Sequence, residues 1–169
     1  MDLAHDTLRF TRKVEAPVEA VWVAYASVED RCRWSVPDGE QIVYDTADFT
    51  EGGEDSYRCG PPENLLNVGA HRYHLIEPPH RLVYCDSIQR KGQLMAIAVL
   101  TWVFEESGGG TRITVIDQVT SLAGQGMIDG HRNGHAKTLD QLVQWLTGAA
   151  DADARSLDEP ILHAGDESR

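Results

Sequence analysis

The sequence predicts an α+β fold: one domain over residues 1–146, built as an antiparallel sheet of about seven strands with helices on one face, and an acidic, disordered tail over residues 147–169. Three observations predict it. Runs rich in β-branched and aromatic residues recur between turn signals from Leu8 to Thr120. Two short stretches at helical spacing interrupt them only once, after the first run. A long helical pattern, apolar at Leu139, Leu142, Val143 and Leu146, then closes the domain. Strands grouped together, with helices set apart, belong to α+β proteins rather than to the strict alternation of parallel sheets.

The elements follow in order. Leu8 to Val14 alternates Leu8, Phe10 and Val14 against Arg9, Thr11 and Lys13, as a half-buried strand does. Pro17 opens a helix, which it can do at a first turn, and Val18, Val21, Trp22 and Tyr25 share one helical face. Ser27 and Asp30 can cap a second short helix that ends before Pro37. Strands are expected over Gln41 to Phe49, Ser56 to Gly60, Gly69 to Glu77 and Arg81 to Ile88, separated by Gly52-Gly53 and Pro78-Pro79 among other breaks. Gln93 to Glu106 and Thr111 to Thr120 form a hairpin around Ser107 to Gly110. The last helix runs from about Met127 to Leu146. In the tail, small and acidic residues prevail, with Pro160-Ile161-Leu162 as the one apolar docking point.

Charge and cysteine usage narrow the function. A net charge of -12 argues against nucleic acid, whose affinity rests on Lys and Arg releasing counterions, and against anionic membranes. Cys32, Cys59 and Cys85 are odd in number and lack CxxC spacing, so neither a disulfide framework nor a cysteine zinc site is expected. No apolar run reaches the ~18 residues of a membrane span. MDLAHDTLRF lacks the basic and apolar regions of a signal peptide, so a cytoplasmic location is expected.

Four segments, in order, carry a resemblance: EAPVEAVWVAYASVEDRCRW, IEPPHRLVY, FEESGGGTRITV and GHRNGHAKTLDQLVQWL. The chain resembles the SRPBCC superfamily of START domains, polyketide cyclases and the birch pollen allergen. Within it, the chain is most similar to bacterial single-domain relatives of the heat-shock-protein-90 ATPase activator. The resemblance covers about residues 7 to 146. It implies the helix-grip fold, a curved sheet wrapped around the C-terminal helix with a ligand cavity between them. Many relatives have Gly-Trp where this chain has Gly134-His135. The eukaryotic activator engages its chaperone through a further N-terminal domain, which is not expected here, so a chaperone role is not expected to transfer directly.

Strand parity supplies cavity candidates. Leu94, Ala96, Ala98, Leu100, Trp102 and Phe104 share one face of the long strand, and the bulk of Trp102 and Phe104 turns that face inward. On the next strand Ile113, Val115, Asp117 and Val119 face inward, while Arg112, Thr114, Gln118 and Thr120 face water. Tyr73 and Tyr84 join the expected ligand-binding set from the middle strands, where parity leaves Tyr44, Tyr57, Arg58, His74 and Asp86 unoriented. An inward carboxylate must meet water, pair, or stay neutral; the first expectation for Asp117 is water at the strand's open end, and the sharper one is pairing with a helix histidine.

His131 and His135 lie four apart on the helix face that continues through Leu139. They are expected to line the cavity mouth. Two histidines lack the third protein ligand a metal needs, and Arg132 between them is unhelpful, so no metal and no cofactor are expected. Gly130 and Gly134 suggest close approach of another chain segment or a ligand to the helix backbone. Three functions follow. The first is binding of a small hydrophobic or amphipathic molecule. The second is a cyclase- or hydrolase-like enzyme using His131, His135 and Asp117 as acid-base residues. The third is a chaperone-interaction module. An exposed strand edge also offers a route to a homodimer.

Overall fold

The computed structural model describes residues 2–157. The order is β1 (Ala4–Val14), α1 (Val18–Ala26), α2 (Val28–Trp34), β2 (Gln41–Thr46), β3 (Glu54–Gly60), β4 (Asn67–Glu77), β5 (Arg81–Arg90), β6 (Gln93–Ser107), β7 (Gly110–Ser121) and α3 (Gln125–Leu157). One seven-stranded antiparallel sheet has the order β1-β7-β6-β5-β4-β3-β2. Register shifts at Tyr44/Thr46, Tyr73/Leu75 and Ile88/Gln89 mark bulges, which bend a sheet. The fold is the curved, helix-gripping sheet that the resemblance implies. Among the described residues no helix is long and apolar enough to cross a membrane.

Side-chain hydrogen bonds fix the helices. The Ser27 hydroxyl accepts from the Asp30 backbone N–H at 3.1 Å and caps α2; Asp30 supplies the donor rather than a second cap. Trp34 Nε1 donates to Ala24 O at 3.0 Å and folds α2 back on α1. Gln141 Nε2 donates to Val36 O at 2.7 Å, which ties α3 to the end of α2. At its other flank α3 meets β1, where Arg12 Nε donates to Asp140 Oδ1 at 2.6 Å.

The inner sheet face is the expected one. Ala96, Ala98, Leu100, Trp102 and Phe104 are buried, as are Ile113, Val115, Asp117 and Val119. Two residues depart from parity. Leu94 is exposed, because the Ile88/Gln89 bulge breaks the alternation before it. Thr114 is buried although it lies on the outer parity of β7. Phe49, expected at the end of β2, lies beyond it and packs against Trp22, Tyr25 and Tyr73. Helix α3 continues past Leu146 to Leu157, where an alanine-rich run sustains helix without apolar periodicity. The tail expected to be disordered is therefore helical as far as Leu157, and the Pro160-Ile161-Leu162 docking point lies outside the described residues.

Leu139 and Leu142 of α3 are fully buried against this face. Replacing Leu139 by Ala is expected to destabilise the fold by about 2–5 kcal/mol, measured by urea unfolding, since a buried leucine leaves a cavity as well as lost transfer energy.

Candidate functional site

Two adjoining spaces lie between the sheet and the helices. The inner one is a chamber of about 170 Å³ walled by Tyr25, Trp34, Tyr44, Tyr57, Tyr84, Leu100 and Trp102, with Arg31, His71 and Asp86 among its polar residues. The outer one is a mouth of about 380 Å³ between the segment after α2, the end of β5 and the first turns of α3. Ser35, Val36, Cys59, His135 and Thr138 border both.

The aromatic wall is built by neighbours on three layers. Tyr25 of α1 and Trp34 of α2 lie over Trp102 of β6, with ring centroids 5.1 and 6.1 Å away. Trp102 Nε1 donates to the Tyr84 hydroxyl at 3.3 Å. Tyr57 reaches the chamber across Gly69, its partner on β4; a Cβ there would overlap the Tyr57 ring, so only glycine leaves the room. The Tyr57 hydroxyl donates to Asp86 Oδ1 at 3.0 Å. Burial holds the Tyr44 hydroxyl up at about 12 and the Cys59 thiol up at about 11, so neither is an anion near neutral pH.

Behind the two mouth histidines, Asp117 decides the chemistry. Its side chain is 0% exposed, between Leu8 of β1 and Leu100 of β6, which overturns the expectation that it meets water. Its Oδ2 lies 2.9 Å from His131 Nδ1 and 3.0 Å from His135 Nε2. Both bonds form when His131 carries its proton on Nδ1 and His135 on Nε2, which leaves His131 Nε2 and His135 Nδ1 for other partners. Burial alone would raise the Asp117 carboxyl, but hydrogen bonds from His131 and then His135 outweigh it and hold it at about 2. Burial opposes the His131 cation, yet the bond to Asp117 wins and raises its pKa.

The ligand atoms of Asp117, His131 and His135 lie within 4.8 Å of one another, so among the described residues these three could hold a metal ion. Helical spacing alone offers two histidines as donors; the fold supplies Asp117 as the third. Arg132 is no obstacle, since its Nη2 donates to Asp6 at 2.9 Å.

The sequence-predicted residues divide. Leu100, Tyr84, Trp102 and His135 wall the chamber, and His131 and His135 line the mouth. Phe104, Val115, Tyr73 and Leu139 are buried in the core and border neither space. Gly130 and Gly134 border the mouth, but a Cβ on either would meet nothing within 4 Å. They leave open space; nothing approaches closely there. Sequence reasoning missed Arg31, Trp34, Ser35 and Thr138. The signal for Arg31 was its place three residues before Trp34, which puts both on one helical face.

The sequence model of the family "Activator of Hsp90 ATPase homolog 1-like protein" matches residues 15–147, and the chain belongs to that family. No curated protein matches it. Among solved structures, one from Rhizobium leguminosarum is 25% identical with a TM-score of 0.77, over 86% of this chain and 97% of that one. The Mll3558 protein of Rhizobium loti is 24% identical with a TM-score of 0.77, over 86% and 100%. A protein of Silicibacter pomeroyi named AHSA1 is 19% identical with a TM-score of 0.72, over 84% and 98%. The last two likenesses show the fold alone.

The Asp117 cluster makes stability pH-dependent at both ends. His131 is raised above its ordinary 6.5, so its contribution is full below that value and is lost as pH rises through the raised one. Asp117 is lowered from 3.8 to about 2, so its contribution is full above 3.8 and is lost as pH falls toward 2. Both describe one interaction, worth on the order of 2 kcal/mol. Urea unfolding should show wild type exceeding Asp117→Asn most near pH 5 to 6, with the gap closing in acid and above neutrality. An imidazole NMR titration should find the His131 midpoint above 6.5 in wild type and lower in Asp117→Asn. An unmoved midpoint would contradict the pairing.

Proposed function

We propose that this protein binds a small apolar or amphipathic molecule in the space between the sheet and α3. The observation that carries the reading is the aromatic chamber adjoining a polar mouth. Such a combination, mostly apolar walls with a few placed polar groups, is the usual make-up of a ligand site. The chamber's 170 Å³ suits one ring, since a cavity of ~150 Å³ holds benzene. The remainder of a larger molecule would lie in the mouth, against His131 and His135.

Gly134 offers a test that spares the core. A Cβ there meets no atom within 4 Å, so the side chain of Gly134→Leu starts in open space and should extend into the mouth that Gly134 borders. The melting temperature should hold or rise, because Leu exceeds Gly in helix propensity by roughly 0.5–1 kcal/mol. Binding of small aromatic compounds, or retention of a co-purified molecule in native mass spectra, should fall at least about tenfold, the effect of ~1.4 kcal/mol. Full binding in that variant would sink the reading.

A second reading is favoured by the His131–Asp117–His135 cluster. A carboxylate that fixes two imidazole tautomers at a cavity mouth leaves two ring nitrogens able to take a proton from a bound carbonyl compound. In that case the His131→Ala, His135→Ala and Asp117→Ala variants lose turnover; full activity in all three removes them from any mechanism. The chaperone-interaction reading draws on the family description. The outer sheet face exposes Val68, Ile97 and Val99, but Arg72, Ser87 and Gln89 lie among them, so the contiguous apolar patch that reading asks for is interrupted.

A further inference from the structure

A carboxylate has two oxygens on which to receive its donors. Asp117 receives both of its histidines on one. His131 Nδ1 and His135 Nε2 meet Oδ2 at 2.9 and 3.0 Å, while the buried Oδ1 has no protein partner among the described residues. A buried acceptor left unpaired costs on the order of 1–3 kcal/mol, and more when it carries charge. Sharing the two donors between the two oxygens would avoid that cost. Two ring nitrogens and one oxygen converge instead, none more than 4.8 Å from another.

That spacing is close to a coordination shell. Nitrogen and oxygen ligands at ~2.0–2.2 Å from zinc stand about 3.3 Å apart at tetrahedral angles, so the two contacts to Asp117 need widen by only about 0.3 Å. The elements that carry the three residues are rigid. Asp117 lies on β7, flanked by β1 and β6, and the histidines lie one turn apart on α3, which Leu139 and Leu142 pack onto the sheet. Phe10 packs beside the His135 ring, with centroids 5.4 Å apart. Arg132, the cation between the histidines, is turned onto Asp6. Both imidazoles border the mouth, which gives an ion its way in. Two imidazoles beside one carboxylate suit a transition metal; calcium and magnesium take shells of oxygen.

We propose that Asp117 Oδ2, His131 Nδ1 and His135 Nε2 bind one divalent transition-metal ion of the zinc type, with a fourth position left for water or for an oxygen of a molecule in the mouth. The site stands independently of the ligand-binding reading. Coordination needs a lone pair on each of the two nitrogens. Each neutral ring therefore moves its proton to its other nitrogen, Nε2 in His131 and Nδ1 in His135.

The test is a calorimetric titration of zinc chloride into chelator-treated protein, with His131→Gln, His135→Gln and His74→Gln alongside. Glutamine keeps an N–H donor for Asp117 but offers no imidazole nitrogen, which separates a metal ligand from a structural hydrogen bond. His74 is exposed on β4 and reports zinc held by surface histidines. Wild type should bind one zinc per chain with a Kd below about 10 µM, and either site variant should weaken it at least about a hundredfold. His74→Gln should bind as wild type does. A wild-type Kd above that value, equal binding in either site variant, or the same loss in His74→Gln overturns the proposal. Should the site variants fail to fold, the imidazole nitrogen resonances of wild type decide. Zinc must convert His131 to its Nε2–H form and His135 to its Nδ1–H form; rings that keep their protons toward Asp117 in saturating zinc refute the site.

Discussion

One buried carboxylate holds the first turns of α3 in place. Asp117 sits on the inner sheet face between Leu8 and Leu100, where an unpaired charge would be costly. It is offset by two histidines from one helical face, which tie β7 to α3 at its N-terminal half. Farther along the same face the residues become Leu139, Leu142 and Leu146, and the contact turns dry. The helix is thus gripped by the buried leucines along one stretch and by the Asp117 hydrogen bonds nearer its start. Where the hydrogen bonds take over, room is left for a mouth, and the open flanks of Gly130 and Gly134 widen it.

The chamber behind the mouth persists for a related reason. Its walls are large rings held by one another and by hydrogen bonds. Tyr84 is fixed by Trp102, Tyr57 by Asp86, and Trp34 by Ala24 O. Flat, stiff side chains held at both ends do not collapse into a gap as leucines would. Arg31, His71 and Asp86 interrupt those rings with polar groups.

The fold was legible because its signals are local. Alternation along Leu8 to Val14, the bulk of Trp102 and Phe104, the Ser27 cap and the spacing of Leu139, Leu142 and Leu146 each act within one element. The site was legible only in part. His131 and His135 shared a helix face on spacing alone, and the parity of β7 turned Asp117 inward. That they meet at one oxygen depends on how α3 crosses β7, which no local pattern contains. Parity cannot tell a cavity wall from a packed core, so Phe104, Val115, Tyr73 and Leu139 looked the same as Trp102 and Tyr84. Arg31 was hidden by its charge: an arginine on a short helix reads as solvent-facing unless Trp34, three residues on, is used to fix the face. The helix beyond Leu146 was missed because alanine propensity extends a helix without leaving an apolar stripe.

The existence of the chamber as an accessible space underlies everything above it. Xenon shows such spaces directly, because it enters apolar cavities of this size and scatters strongly. Diffraction from crystals pressurised with xenon should place an atom among Trp34, Tyr84 and Trp102, with the rings of those residues unmoved. Crystals that take up no xenon there, with Trp102 or Tyr84 rotated into the gap, would contradict an open chamber.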